Sequence, residues 1–491
     1  MSAVLSIDQG TTGTTALVVS SDGQVLSRAY SEFTQHFPRP GWVEHDAEEL
    51  WQVTIRVAKE AVERVTEVPT AVGITNQRET VVVWDRTTGA PIHRALVWQD
   101  RRTAERCRQL QTELGDDFIA ARTGLVWDPY FTATKIEWLL REVPDLRKKV
   151  EGGDVVFGTI DSWLIHRLTG GGAHVTDHTN ASRTLLYDIR HQRWDDELLA
   201  VFGIPIESLP EIRKSSEVVG TTSGDILGHE IPIAGNAGDQ QAALFGQGCV
   251  EAGSAKCTYG TGAFLLMQIG TTLDDEPRRT GVLTTMSCGA DGGPAYALEG
   301  SVFIAGAAIQ WLRDGLGLLE TAPESEGLAR SVESTDGVYF VPALVGLGAP
   351  HWQAEARGTI VGLTRGTQRT HLVRAALESM AFSTREVVDA MVAASGVRLT
   401  ELKVDGGASA NDWLMQYQAD LLGVRLLRPD VVETTALGAA GLAGLATGIW
   451  ADVEAFTATR HYHSFENGTA REDDFEGWKR AVNAALHWAG T

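Results

Sequence analysis

The stretch Val4-Leu5-Ser6-Ile7-Asp8-Gln9-Gly10-Thr11-Thr12-Gly13-Thr14-Thr15-Ala16-Leu17-Val18-Val19-Ser20 sets the reading of the whole chain. An apolar run ends in an acid, a Gly/Thr turn follows, and a β-branched run returns. Residues 4–8 and 14–20 are expected strands, and Asp22-Gly23 is a two-residue hairpin signal ahead of a third strand over 24–27. The same theme recurs in the second half. Residues 254–258 lead into Tyr259-Gly260-Thr261-Gly262, and 263–269 return as an apolar strand. Two halves with one hairpin logic predict two similar domains facing each other, 1–247 and 248–491.

Working outward, Asp46 with Glu49 has the form of a capping box. Leu50, Val53, Val57, Ala61 and Val65 then recur at helical spacing. Residues 72–75 and 80–84 are expected strands joined by the polar stretch Asn76-Gln77-Arg78-Glu79, and 135–141 is an expected helix. The second half is rich in helical patterns, over 305–312, 370–394, 411–422 and 436–446. The fold class that follows is α/β with mixed sheets flanked by helices. Strict strand–helix alternation is absent, which argues against a simple doubly wound sheet or a TIM barrel.

The chain has 491 residues, with 64 acidic against 42 basic side chains and a formal charge of -22. Such a surface repels nucleic acid and anionic membrane. A nucleotide site must therefore be built locally, from backbone N–H groups, helix ends and a metal ion. The start lacks a basic leader region, and no stretch reaches the ~18 apolar residues of a membrane helix. Cys107, Cys249, Cys257 and Cys288 show no metal or disulfide spacing and suit a reducing cytoplasm.

Four stretches carry chemistry. Asp8 to Gly13 can bring backbone and threonine donors to phosphate, with Asp8 placed for a magnesium ion. Gly260-Thr261-Gly262 is the second phosphate candidate, and the two hairpins could pinch a triphosphate between domains. Val404-Asp405-Gly406-Gly407-Ala408-Ser409-Ala410-Asn411 ends a strand in a Gly-Gly turn that can lie flat against a nucleoside. Gly235-Asn236-Ala237-Gly238-Asp239 reads as a flexible turn ahead of a helix, with Asp239 as the candidate general base; an ordinary N-cap aspartate is the competing reading. Arg78-Glu79 is an adjacent donor–acceptor pair of the kind a vicinal diol needs, although a solvated loop pair has the same sequence. Trp98 and Phe264 can wall a carbon skeleton, and Tyr130 can offer a hydroxyl. No P-loop, protein-kinase motif, H-E-x-x-H or G-x-S-x-G is present.

Together these motifs resemble the FGGY carbohydrate kinases along essentially the whole chain. The likeness runs from residues 8–12 through Pro40-Gly41-Trp42-Val43-Glu44-His45-Asp46, Gln77-Arg78-Glu79-Thr80, Asp128-Pro129-Tyr130-Phe131, residues 238–245 and 259–262, to Gly346-Leu347-Gly348-Ala349-Pro350 and 358–378. The resemblance implies two actin-like, ribonuclease-H-type domains with the active site in the cleft between them. It implies phosphorylation of glycerol by ATP, with Asp239 as base and Asp8 and Asp239 organising Mg2+. Arg78, Glu79, Trp98, Tyr130, Asp239, Gln240 and Phe264 would bind the polyol. Thr11, Thr12, Gly13, Gly260 and Thr261 would face the phosphates, and Gln310, Gly407 and Asn411 the adenosine. A homodimer or homotetramer is the usual assembly of the family. Another sugar or polyol kinase of the family is the nearest alternative, and a nucleotide-driven chaperone or filament protein a more distant one. The sequence departs from the family in two places. No basic residue follows the first Gly-Thr-Thr turn, and residues 221–230 carry Asp225 and Glu230 but no Lys or Arg, so phosphosugar inhibition through that loop is not expected.

Overall fold

The computed structural model describes residues 2–273, 280–458 and 460–490. The first lobe is built on β1 (Ala3–Gln9), β2 (Gly13–Ser20), β3 (Val25–Glu32), β4 (Ala71–Asn76), β5 (Ser216–Thr221) and β6 (Pro232–Gly238), in the spatial order β5-β6-β4-β1-β2-β3. β1, β4 and β6 run parallel, and β2 and β5 antiparallel to their neighbours. The hairpin Asp22-Gly23 turns the chain as expected, with Gly23 at φ +80°, but the third strand runs on to Glu32 rather than ending at 27.

α1 (Ala47–Glu63) covers this sheet and buries Leu50, Val53, Val57 and Ala61. Only half of the expected capping box forms. Asp46 Oδ1 accepts from the Glu48 and Glu49 backbone N–H groups, whereas the Glu49 carboxylate turns to the Thr34 N–H and hydroxyl. A five-stranded sheet containing Val81–Asp85 and Val155–Thr159 extends this lobe. The stretch 235–238, expected as a flexible turn, is strand: β6 pairs with β4 up to Gly238↔Asn76, and α2 (Asp239–Gly246) starts at once.

The second lobe repeats the plan. β7 (Ser254–Tyr259), β8 (Ala263–Gly270), β9 (Leu283–Cys288), β10 (Pro294–Val302), β11 (Glu401–Asp405), β12 (Arg425–Pro429) and β13 (Tyr462–Phe465) lie in the order β9-β10-β8-β7-β11-β12-β13. β7, β11 and β12 are parallel, as β1, β4 and β6 are in the first lobe. Its helices include α3 (Gly306–Asp314), α4 (Arg369–Ser395), α5 (Asp412–Leu422) and α6 (Thr434–Ala446).

α6 explains how the lobes meet. Its sequence TTALGAAGLAGLA has no charged residue and no polar face, so it must be buried all round. It packs on β1, β4 and β6 of the first lobe, with Ala436, Leu437, Ala440 and Ala443 in one core with Val4, Ala71 and Ala234. Conversely, Leu244 of α2 packs with Leu266 and Ala297 of the second lobe. Glycines let the backbones approach this closely. A Cβ on Gly438 would lie 1.8 Å from Ala242 O, and one on Gly73 2.1 Å from Ala439 O.

Candidate functional site

Parallel strands gather residues at one edge. Asp8 is level with Thr75 on β4, Gln9 with Asn76, and Gly238 with Asn76 from the other side. The carboxyl ends of β1, β4 and β6 therefore deliver Asp8, Arg78-Glu79 and Asp239 to one rim, where open α/β sheets bind ligands.

Arg78 and Glu79 are not a solvated loop pair. They are 3% and 1% exposed. Glu79 holds φ +60°, a costly conformation for a non-glycine residue that the surrounding contacts must maintain. The Arg78 Nη1 and Nη2 groups donate to Glu299 at 2.6 and 3.0 Å, Nη1 also to Gln241 Oε1 at 3.2 Å, and Nη2 to Tyr130 Oη at 3.4 Å. Its Nε lies 3.3 Å from Asp239 Oδ1 and 3.7 Å from Glu79 Oε1. Arg183 Nε donates to Glu79 at 2.6 Å and its Nη2 to Glu299 at 3.1 Å. Two guanidinium and two carboxylate groups thus interlock beneath the cleft.

Asp239 is the first residue of α2, and Gly238 is the cap position. Its Oδ1 accepts from the Gln240 N–H at 2.7 Å, and the side chain keeps 30% exposure. The N-cap reading is thus set aside, because Gly238 holds the cap position; the carboxylate stays partly exposed at the strand-end rim, and burial raises its pKa against the pull of Arg78. Burial first, and the Asp239 charge second, push Asp8 up to about 7. Glu299 behaves in the opposite way. Burial alone would raise it, but Arg183 and Arg78 hold it at about 2.

Trp98 joins Tyr130 to the first hairpin, for its Nε1 donates to Thr11 Oγ1 at 2.9 Å and its ring meets Tyr130 edge-on at 5.4 Å. Trp98, Tyr130 and Phe264 line one cavity of about 620 Å³, which also reaches Thr261. Thr12 is exposed at the hairpin tip. Gly13 lies beneath the turn: its carbonyl accepts from the Gly10 N–H at 3.0 Å, and a Cβ there would strike the Tyr30 ring at 2.7 Å.

In the second lobe Gly260, Thr261, Gln310, Gly407 and Asn411 line a separate cavity of about 430 Å³. The hairpin closes through Gly260 N–H to Gly262 O, and the N–H groups of Ala305 and Ala307 donate to Thr261 O, tying it to the start of α3. Asn411 also caps α5, its Oδ1 accepting from the Leu414 N–H at 2.9 Å. Gln240 reaches across the boundary, where the Lys256 ammonium donates to its Oε1 and to Thr258 Oγ1.

Glu299, Arg183, Gln241 and Lys256 were absent from the sequence-derived set. Glu299 and Lys256 carried a usable signal, being single charges inside apolar strands, PAYALEGSV and SAKCTY. A charge is seldom placed in such a position unless it is paired. Arg183 had no such mark. Among the described residues no group of three or more His, Cys, Asp or Glu side chains gathers to hold a metal alone. The two carboxylates Asp8 and Asp239, whose proximity raises Asp8, fit Mg2+, which takes one or two carboxylates and completes its shell with waters and phosphate oxygens.

Models of the FGGY family of carbohydrate kinases match the chain over 3–246 for the N-terminal domain and 255–447 for the C-terminal domain. The chain is 55% identical to a glycerol kinase of Carboxydothermus hydrogenoformans, covering 99% of this chain and 98% of that one. It is 53% identical to glycerol kinase 2 of Thermotoga maritima, over 99% of both chains. A solved structure of Plasmodium falciparum glycerol kinase with ADP superposes with a TM-score of 0.93 at 36% identity, covering 99% of this chain and 98% of that one. A xylulose kinase of Lactobacillus acidophilus shares the fold at a TM-score of 0.88 and 20% identity, over 100% of this chain and 98% of that one. With both family models matched in order and relatives this similar along the full length, the chain belongs to the FGGY family of carbohydrate kinases.

Proposed function

We propose that this protein transfers the γ-phosphoryl group of ATP to a terminal hydroxyl of glycerol, giving sn-glycerol 3-phosphate and ADP. The observation that carries this reading is the buried Arg78–Glu79 pair, with Tyr130 at its side and Asp239 at its open edge. Arg78 donates, Glu79 accepts and Tyr130 does both, so each hydroxyl of a small polyol finds a partner of the right sense. Gln240 supplies a further amide, and Trp98 and Phe264 flank the carbons. The glycerol kinases to which the chain is 55% and 53% identical favour glycerol over a pentulose.

ATP is assigned to the second lobe, with adenosine by Gln310, Gly407 and Asn411 and phosphates between Gly260-Thr261 and Thr11-Thr12. The chain's role is then positioning and charge stabilisation. The hydroxyl oxygen of glycerol forms the new bond to the γ-phosphorus, the bond from that phosphorus to the β-bridging oxygen breaks, and Asp239 takes the hydroxyl proton. Asp8 and Asp239 would hold Mg2+, which when bound offsets charge on the phosphates. Approach of the lobes excludes water, the rival acceptor. The loop over 221–230 keeps its acidic character, and fructose 1,6-bisphosphate is not expected to act there. No described helix is long and apolar enough to cross a membrane, and the assignment to cytoplasm rests on the sequence reading above.

ADP release from Mg·ATP, with and without glycerol, tests the proposal. Turnover is expected to depend on glycerol. Turnover only with a pentulose or a four-carbon polyol would move the substrate assignment, and equal turnover with and without any polyol would overturn it.

A further inference from the structure

We infer that Glu299, with Arg183, is a positioning residue that holds Arg78 on the polyol and off the general base. The inference rests on the reading of Arg78, Glu79 and Asp239 given above. Glu299 is in β10 of the second lobe, yet its carboxylate is 1% exposed and directed into the first-lobe pocket. It accepts from both Arg78 Nη groups, at 2.6 and 3.0 Å, in the two-pronged geometry that suits a guanidinium. This fork fixes the plane of Arg78. Only its Nε edge is left for Asp239, at 3.3 Å, while Nη2 also reaches Tyr130.

Charge makes this arrangement necessary. Arg78 and Arg183 are balanced by Glu79 and Glu299, and Asp239 stands at the edge of the group with its side chain still 30% exposed. Without Glu299, two buried guanidinium groups would share Glu79. The nearest remaining carboxylate for Arg78 is Asp239. A guanidinium turned squarely onto Asp239 would occupy the oxygens that must receive the hydroxyl proton and would leave the polyol pocket without its fork. Arg183 completes the device by holding Glu79 at 2.6 Å and Glu299 at 3.1 Å, so neither acid is free to rotate. Because Glu299 comes from the second lobe and the two arginines from the first, the pocket is complete only with the lobes in register.

The test compares the wild-type protein with Glu299→Gln and Arg183→Lys, measuring steady-state kinetics for glycerol and for Mg·ATP separately. Glu299→Gln is expected to lower kcat/KM for glycerol at least 100-fold, with KM for Mg·ATP close to the wild-type value. Arg183→Lys keeps the charge but loses the Nε and Nη2 bridge between Glu79 and Glu299, and is expected to raise the glycerol KM about tenfold. A shorter acid, Glu299→Asp, should recover part of the loss. A merely structural role predicts equal damage to both substrates, or a fall in melting temperature with kinetics intact, and either result overturns the inference. Should Glu299→Gln fail to fold, Arg183→Lys decides alone: an unchanged glycerol KM overturns it. If wild-type protein shows no glycerol-dependent turnover, the polyol reading itself is lost and this inference with it; active wild type with unaltered variants removes the inference only.

Discussion

The two lobes carry one strand plan and opposite chemistry. Asp8 and Thr258 occupy the same place, one residue before the end of the strand that enters the Gly/Thr hairpin. Asp239 and Thr434 each open the helix that packs across the lobe boundary. The first lobe therefore presents acids where the second presents hydroxyls. The second lobe does have an acid at its strand ends, Asp405, but it is 4% exposed and tied inward. Its Oδ2 accepts from Gln247 Nε2 at 2.8 Å and Thr434 Oγ1 at 2.5 Å. Asp239 Oδ1 accepts from the Gln240 N–H and lies 3.3 Å from Arg78 Nε, yet its side chain keeps 30% exposure. A shared topology thus provides two rims, and the residues at the strand ends decide which rim carries open acids and which carries hydroxyls.

The comparison can be broken most sharply at its acids. Asp239→Asn is expected to lower kcat by about 10²–10⁴, the range associated with loss of a positioned base, while glycerol still binds; near-normal turnover would show that the two rims are not so divided. Asp8→Asn should come next. Its expected effect is a rise of about tenfold or more in the Mg2+ needed for half-maximal rate, whereas Thr258→Ala, the counterpart in the second lobe, should leave the Mg2+ requirement unchanged. Titrating Mg2+ against rate in the two variants checks the asymmetry directly.

The boundary helices sharpen a different aspect, how the two lobes are held together. Gly438→Ala would place a methyl group 1.8 Å from Ala242 O. Overpacking of this kind is expected to cost about 1–3 kcal/mol, read as a lower melting temperature, and a normal melting curve would mean that α2 and α6 can move apart freely. The smallest expected effect lies in the second lobe. Glu378 is buried beside Arg374, whose Nε donates to it at 2.8 Å, and burial pushes its carboxyl up to about 7. A carboxyl raised on folding contributes stability that is complete below the ordinary carboxylate range and is lost as pH rises through 7. Wild-type Tm should therefore fall between about pH 4.5 and 7 on this account, and Glu378→Gln, which cannot ionise, should flatten that part of the fall; an unaltered pH profile would remove Glu378 from it.

Much of this was legible in the chain itself. The hairpins at Gly10 and Gly260, the helices over 47–63 and 369–395, and the strands around them follow from local periodicity and turn chemistry, which need no distant partner. Two local signals are overridden by tertiary partners. Glycines made 235–238 look like a turn, yet β6 needs them: a Cβ on Gly235 would lie 2.6 Å from Ala443 N, on a helix two hundred residues away in sequence. Glu49 matched a capping box, but a competing donor at Thr34 drew its carboxylate away.

The amino-acid sequence by itself determined the two-lobed α/β plan, the Gly/Thr hairpins and the identity of the acids at the strand ends, because these depend on neighbours along the chain and on side-chain type. Only the tertiary structure decided that Arg78 and Glu79 are buried rather than solvated, that Asp239 is open and Asp405 tied, and that Glu299 and Arg183 belong to the same pocket. Those outcomes depend on burial and on partners from the other lobe. A charge's role is fixed by which opposite charge reaches it through a dry interior, and separation along the chain carries no such information.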